Sequence, residues 1–135
     1  MTSLTRADWE QRAQALAIEC RAFIHGQYTP AVSGATFDCI SPVDGRLLGK
    51  VASCDLADAE RAVADARATF ESGVWSRLVP VKRKQAMIRF ADLMDKHAEE
   101  LALLETLDMG KPIGDALSVD VPGASRAIRW SGEAI

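Results

Sequence analysis

The sequence predicts an α/β chain of two β-hairpins followed by packed helices, a unit incomplete on its own. Three observations carry this. Two turn signals interrupt short alternating segments before Asp55. Four helical apolar stripes follow that point. The last of them is still running when the chain reaches Ile135.

The first element reads as a helix from about Arg6 to Cys20, since Trp9, Ala13, Leu16, Ala17 and Cys20 recur at helical spacing. Residues 21–24 and 27–29 then flank His25-Gly26. That pair suits a tight hairpin with positive φ at both turn positions: glycine adopts it freely, and histidine tolerates it better than most residues. A Ser/Gly loop over residues 31–35 leads to a strand at residues 36–41. Pro42-Val43-Asp44-Gly45 reads as a type I turn, and residues 47–52 return as the partner strand.

Asp55 is placed to cap the next helix, with Asp58 also acidic in its first turn, where the positive end of the helix dipole lies. Leu56, Ala59, Val63, Ala66 and Phe70 form its expected buried stripe, and Gly73 ends it. Pro80 opens another helix, with Met87, Phe90, Leu93 and Met94 inward and Lys82, Arg83 and Lys84 solvated. A further helix carries Leu101, Leu104 and Leu107, stops at Gly110 and is closed off by Pro112. The last starts at Asp120 with Pro122 in its first turn and runs through Ala124, Ala127, Ile128 and Ser131. Two sub-units are expected, residues 1–73 and 80–135. The open stripe at Ile135 predicts a truncated piece of a larger protein.

Composition narrows the function. The chain has 135 residues, of which 48% are hydrophobic and 26% charged, the balance of an ordinary globular protein. Its net charge is -3 and its basic residues are dispersed, which argues against a nucleic-acid partner. No apolar run approaches a membrane span, and the polar N-terminus is no secretory signal. Cys20, Cys39 and Cys54 lack metal-knuckle or redox-pair spacing and are read as reduced packing thiols of a cytoplasmic protein. His25 and His97 stand far apart, and the sequence has no GxGxxG and no phosphate-cradling GxxxxGK motif. Glu99, Glu100 and Glu105 read as a solvated helix face. No catalytic or cofactor-binding residue is assigned.

Several strings resemble the aldehyde dehydrogenase superfamily, in order and over essentially the whole chain. Phe23-Ile24-His25-Gly26-Gln27-Tyr28 resembles its opening hairpin. Residues 36–45, from Thr36-Phe37 to Ser41-Pro42-Val43-Asp44-Gly45, resemble its T-F-x-x-x-N-P-x-T-G, with Ser41 for Asn and Asp44 for Thr. Most specific is the run from Glu100-Leu101-Ala102 to Asp108-Met109-Gly110-Lys111-Pro112, similar to E-L-A-x-L-E-T-L-D-(T/N)-G-K-P with Met109 the sole departure. Residues 15–19, 91–94, 113, 120–124 and 126–130 are similar to the γ-glutamyl-γ-aminobutyraldehyde dehydrogenases of putrescine catabolism.

The resemblance implies the N-terminal part of that family's NAD-binding domain. The activity it implies is NAD- or NADP-linked oxidation of an aldehyde to its acid, here an ω-amino or γ-glutamylamino aldehyde of polyamine catabolism. In the family a cysteine attacks the carbonyl, hydride passes to the nicotinamide, and a glutamate activates the water that releases the acid. Those residues and the main dinucleotide contacts lie further along than this chain reaches, so the segment alone is expected to be inactive. Two family sites reach into it. A structural K+ or Na+ site, found in some members, corresponds to the backbone of Cys39 and Ile40 with the Asp108 carboxylate. The substrate-tunnel mouth corresponds to Val119, Asp120 and Gly123. The simpler readings are that Asp108 bonds nearby backbone and that Asp120 caps a helix. Relatives assemble as homodimers or homotetramers. The competing reading is a non-catalytic interaction or assembly module derived from the family.

Overall fold

The computed structural model describes residues 4–135. Its elements are α1 (Arg6–Ala15), β1 (Ala22–Ile24), β2 (Gln27–Thr29), β3 (Thr36–Ile40), β4 (Leu47–Ala52), α2 (Leu56–Ser72), α3 (Pro80–Lys96), α4 (Ala98–Met109), α5 (Ile113–Asp115), a π-helical turn (Ala116–Asp120) and α6 (Val121–Glu133). The strands form two separate antiparallel hairpins, β1–β2 and β3–β4, as the turn chemistry predicts.

At the first hairpin His25 and Gly26 take φ of 55° and 69°, the left-handed pair that matches strand twist. The second turn is one residue longer than expected. Gly45 N–H donates to the Ser41 carbonyl at 2.8 Å, and Gly45 itself is left-handed, so the chain closes a five-residue loop where a four-residue type I turn was expected. Ser41 explains the difference: it is buried, and its hydroxyl accepts from Val43 N–H, which organises the loop from inside.

α1 is shorter than its periodicity suggests. A Thr5–Asp8 capping box starts it, but it stops at Ala15, and Leu16 is extended. Two contacts end it. Arg46 Nη2 donates to the Ala13 carbonyl at 3.0 Å, and the following segment is captured by β4, whose Ala52 N–H donates to the Cys20 carbonyl at 2.9 Å.

α2 has the predicted ends, a reciprocal Asp55–Asp58 capping box and left-handed Gly73. Its burial differs from expectation. Leu56, Val63 and Phe70 are 73%, 68% and 63% exposed, whereas Asp58 is buried. The helix is anchored through this carboxylate, which accepts from the Val32 and Asp55 amides and faces Arg61 at 3.6 Å. The apolar stripe is left facing solvent.

α3 begins at Pro80 as predicted, but Phe90 and Leu93 are exposed, Met87 and Met94 half-buried, and Ala91 fully buried. Of the basic run only Lys82 is fully solvated; Arg83 and Lys84 are half-buried, and Lys84 pairs with Glu133. The inward face is set by α6, whose buried positions are Val121, Ser125 and Gly132; the predicted Ala124, Ala127 and Ser131 are exposed. Small residues let the two backbones approach: Ser125 Oγ donates to the Ala91 carbonyl at 3.3 Å, and a Cβ on Gly132 would stand 2.9 Å from Met87 Cβ.

α4 buries Ala102, Leu103 and Leu107 and ends at left-handed Gly110. The core proper is Ala102, Ala116 and Val121, flanked by Leu101, Ile113 and Leu117. Among the described residues no helix is long and apolar enough to cross a membrane.

Replacing Gly132 with valine drives a branched side chain into Met87 at the α3–α6 crossing. Its urea midpoint should fall by an amount corresponding to about 1–3 kcal/mol. An unchanged midpoint would show that the crossing is looser than described.

Candidate functional site

Two regions gather the residues that the sequence singles out. The first is a cleft of about 380 Å³ between the extended segment before β1, the β3–β4 hairpin and the end of α4. Cys20, Cys39, Leu48, Leu104, Glu105 and Asp108 are among its lining residues. Strand pairing brings Cys39 to it, and the α4 register brings Asp108. Sixty-nine positions apart in sequence, the two meet: Cys39 Sγ–H donates to Asp108 Oδ1 at 3.4 Å. Burial and the adjacent Asp108 carboxylate push the Cys39 thiol up.

Ile40 stands next to this contact, with its side chain exposed. The β3–β4 register shifts between Cys39 and Ile40, an irregularity of the kind that releases backbone groups from the ladder. At the cleft's other rim Arg21 grips Glu19 with two side-chain bonds, at 2.8 and 2.6 Å, and its own amide adds a third. The Glu19 carboxyl is held down to about 2 by these bonds.

The second region is the passage from α4 to α6, and here the predicted helix start is corrected. Asp120 is not a cap. Its backbone is helical, with φ -73° and ψ -55°, and its side chain bonds no N-terminal amide. α5, the π-turn and α6 follow one another without a break from Ile113, so Asp120 lies inside a helical run. Pro122 accounts for the π-turn: proline has no N–H to donate and crowds the preceding turn, and widening that turn accommodates it. Val121 N–H accordingly reaches back five residues to the Ala116 carbonyl.

This geometry gives Asp120 a partner that sequence reasoning missed. Lys111, just beyond the end of α4, pairs with the Asp120 carboxylate and stands 3.9 Å from Glu105. The Lys111 ammonium is raised above its ordinary value, first by its bond to Asp120 and then by the charges of Asp120, Glu105 and Asp115. Val119 is 58% exposed, and a Cβ on Gly123 would meet open space. The three expected mouth residues thus lie together, around a carboxylate that is already paired. The spacing of Ile113, Ala116, Leu117 and Val121 was the available signal that the helix starts early.

The remaining candidates separate. Glu99 pairs with Arg12, and His97 faces Glu100 at 3.4 Å, surface partnerships both; Glu105 is drawn into the first cleft and toward Lys111. Cys20 and Cys39 are half-buried. Cys54 is exposed and does not pack as expected, because it falls in the short connection between β4 and the α2 cap. Among the described residues no three His, Cys, Asp or Glu side chains gather to hold a metal ion.

Comparison with known proteins places this arrangement. The aldehyde dehydrogenase family matches residues 28–135. The chain is 53% identical over 129 residues to the NADP/NAD-dependent aldehyde dehydrogenase PuuC of Escherichia coli, covering 96% of this chain and 26% of that protein. It superposes on the P. syringae indole-3-acetaldehyde dehydrogenase AldA, solved with NAD+ and IAA, at a TM-score of 0.97 and 74% identity, covering 98% of this chain and 27% of that one. On the γ-glutamyl-γ-aminobutyraldehyde dehydrogenase of Burkholderia cenocepacia the TM-score is 0.95 at 56% identity, covering 97% of this chain and 27% of that one. The chain spans about a quarter of the length of these relatives, and its two hairpins and helices match the N-terminal part of their fold. It belongs to the aldehyde dehydrogenase family.

Proposed function

We propose that this chain is the N-terminal segment of the NAD-binding domain of an NAD- or NADP-dependent aldehyde dehydrogenase. The substrate of the whole enzyme is an ω-amino or γ-glutamylamino aldehyde of polyamine catabolism, oxidised to its acid. Supporting this is 53% identity to PuuC across nearly the whole chain. The nicotinamide, when bound, supplies the hydride acceptor. What the segment supplies is the approach to the site. Val119, Asp120 and Gly123 form one wall of the substrate mouth, where the Asp120 carboxylate favours a substrate with a cationic or amide-rich tail. The assembled enzyme is a cytoplasmic homodimer or homotetramer.

The 74% identity to AldA favours a second reading, an arylacetaldehyde substrate. Transplanting residues 4–135 into AldA in place of the matching segment separates the two. The chimera should keep NAD-linked activity and gain kcat/KM for an aminobutyraldehyde relative to indole-3-acetaldehyde; an unchanged ratio favours the aryl reading. A chimera that folds yet oxidises neither would sink the assignment to the catalytic family role. In the active chimera Asp120→Asn should raise KM for the aminoaldehyde about threefold, the scale of one half-exposed charge interaction, and leave an aliphatic aldehyde unchanged. Equal effects on both substrates would remove Asp120 from specificity.

The cleft at Asp108 is the proposed seat of a structural K+ or Na+. The Asp108 carboxylate beside the irregular backbone of Cys39 and Ile40 motivates this reading, since their carbonyls, if turned toward it, would make an all-oxygen donor set for a hard monovalent ion. Potassium chloride, compared with tetramethylammonium chloride at equal ionic strength, should stabilise the chain by about 1.4 kcal/mol when the ion is tenfold above its Kd. Asp108→Asn should abolish the difference, and no difference in the unsubstituted chain would exclude the ion.

A further inference from the structure

The first cleft holds a second thiol, Cys20, that the proposed cation site does not use. Cys20 lies in the extended stretch between α1 and β1, tied to β4 by the bond from Ala52 N–H to its carbonyl. Its Sγ rests over Gly49, where a Cβ would come within 2.5 Å of the sulfur. The absent side chain of Gly49 is what admits the thiol. Gly49 is in turn the residue directly opposite Cys39 in the β3–β4 register.

Directly opposed residues of an antiparallel pair hold their Cβ positions about 4.5–5.5 Å apart, so Cys20 Sγ lies at most about 8 Å from Cys39 Cβ. Both thiols line the same cleft, and each is half-buried. The segment carrying Cys20 belongs to no helix or strand and is held to β4 at its carbonyl, so reaching disulfide geometry requires rotation about χ1 and movement of that segment toward β3. Cys54, by contrast, is exposed, lies outside the lining of the cleft, and has no such partner position.

We infer that Cys20 and Cys39 form a redox-sensitive pair that closes to an intramolecular disulfide when the protein meets a hydroperoxide. One thiol attacks the peroxide, the O–O bond breaks, and an alcohol (water, for hydrogen peroxide) leaves as that sulfur becomes a sulfenic acid. The second thiol attacks the sulfenic sulfur, forms the S–S bond and releases water. Two thiols are oxidised by two electrons while one peroxide is reduced. The bond takes the Cys39 Sγ–H away from Asp108 and tethers the front segment to β3, so oxidation remodels the cleft from its sulfur side.

The test uses the 135-residue chain with Cys54→Ser, treated with a slight excess of hydrogen peroxide, alkylated, digested and mapped by mass spectrometry. The expected product joins the Cys20 and Cys39 peptides with loss of about 2 Da, two hydrogens, and resists alkylation until reduced. Cys20→Ser and Cys39→Ser should each abolish it. With all three cysteines present, the Cys20–Cys39 link should exceed every pairing with Cys54 when the chain is folded, and lose that preference in denaturing urea. Sulfenic or sulfinic products without a cross-link, or a preference that survives in urea, would overturn the proposal. Circular dichroism on each serine variant separates loss of the pair from loss of the fold.

Discussion

The close approach of α3 and α6 is the constraint on which the rest of the helical region depends. Ala91, Ser125 and Gly132 carry little or no side chain at the crossing, and the Ser125 hydroxyl closes on the Ala91 carbonyl. Interhelical distance follows the size of the contact residues, so this crossing fixes the rotation of α6 about its axis. That rotation turns Val121 into the core beside Ala102 and Ala116 and leaves Val119 in solvent. The π-turn forced by Pro122 carries the chain from α5 into this helix without a break. Lys111 then closes the arrangement electrostatically from the end of α4.

A different principle organises the strand region. Two short hairpins cannot bury much apolar surface, and polar groups do the anchoring instead. Asp58 receives the backbone of the loop before β3, Ser41 shapes the turn after it, and Asp108 meets the strand itself through Cys39. The cleft at the end of α4 is where the two regimes join: its walls come from the hairpin and from the helix. A contact there is sensed by both.

The hairpins and most helix ends were legible because each rests on local chemistry: positive φ at His25-Gly26, the Asp55–Asp58 box, and left-handed Gly73 and Gly110. Inward faces were much less legible. Periodicity identifies the apolar side of a helix, but small residues decide which side is packed, and Ala91, Ser125 and Gly132 carry almost no hydropathy signal. On α2 the stripe of Leu56, Val63 and Phe70 is real in sequence, and the structure leaves it open. Of the candidate site residues, Cys39 reaches Asp108 through its thiol and not through the expected carbonyl, and Val119, Asp120 and Gly123 lie along one helical run. The Lys111 pairing escaped the sequence reading because the helix was taken to begin at Asp120, and a cap would have spoken for that carboxylate. The partnership of Cys20 with Gly49 depends on tertiary register, which spacing alone does not encode.

The mooring of the first hairpin has a consequence of its own. β1–β2 leans on α2 through His25 with Asp65 and Arg61 with Thr29, all near the surface, and Phe23 and Tyr28 pack on each other rather than into a core. The hairpin is therefore moored to α2 mainly through polar contacts. Held by surface contacts and by little buried apolar area, it is the part of the strand region whose local opening should cost least.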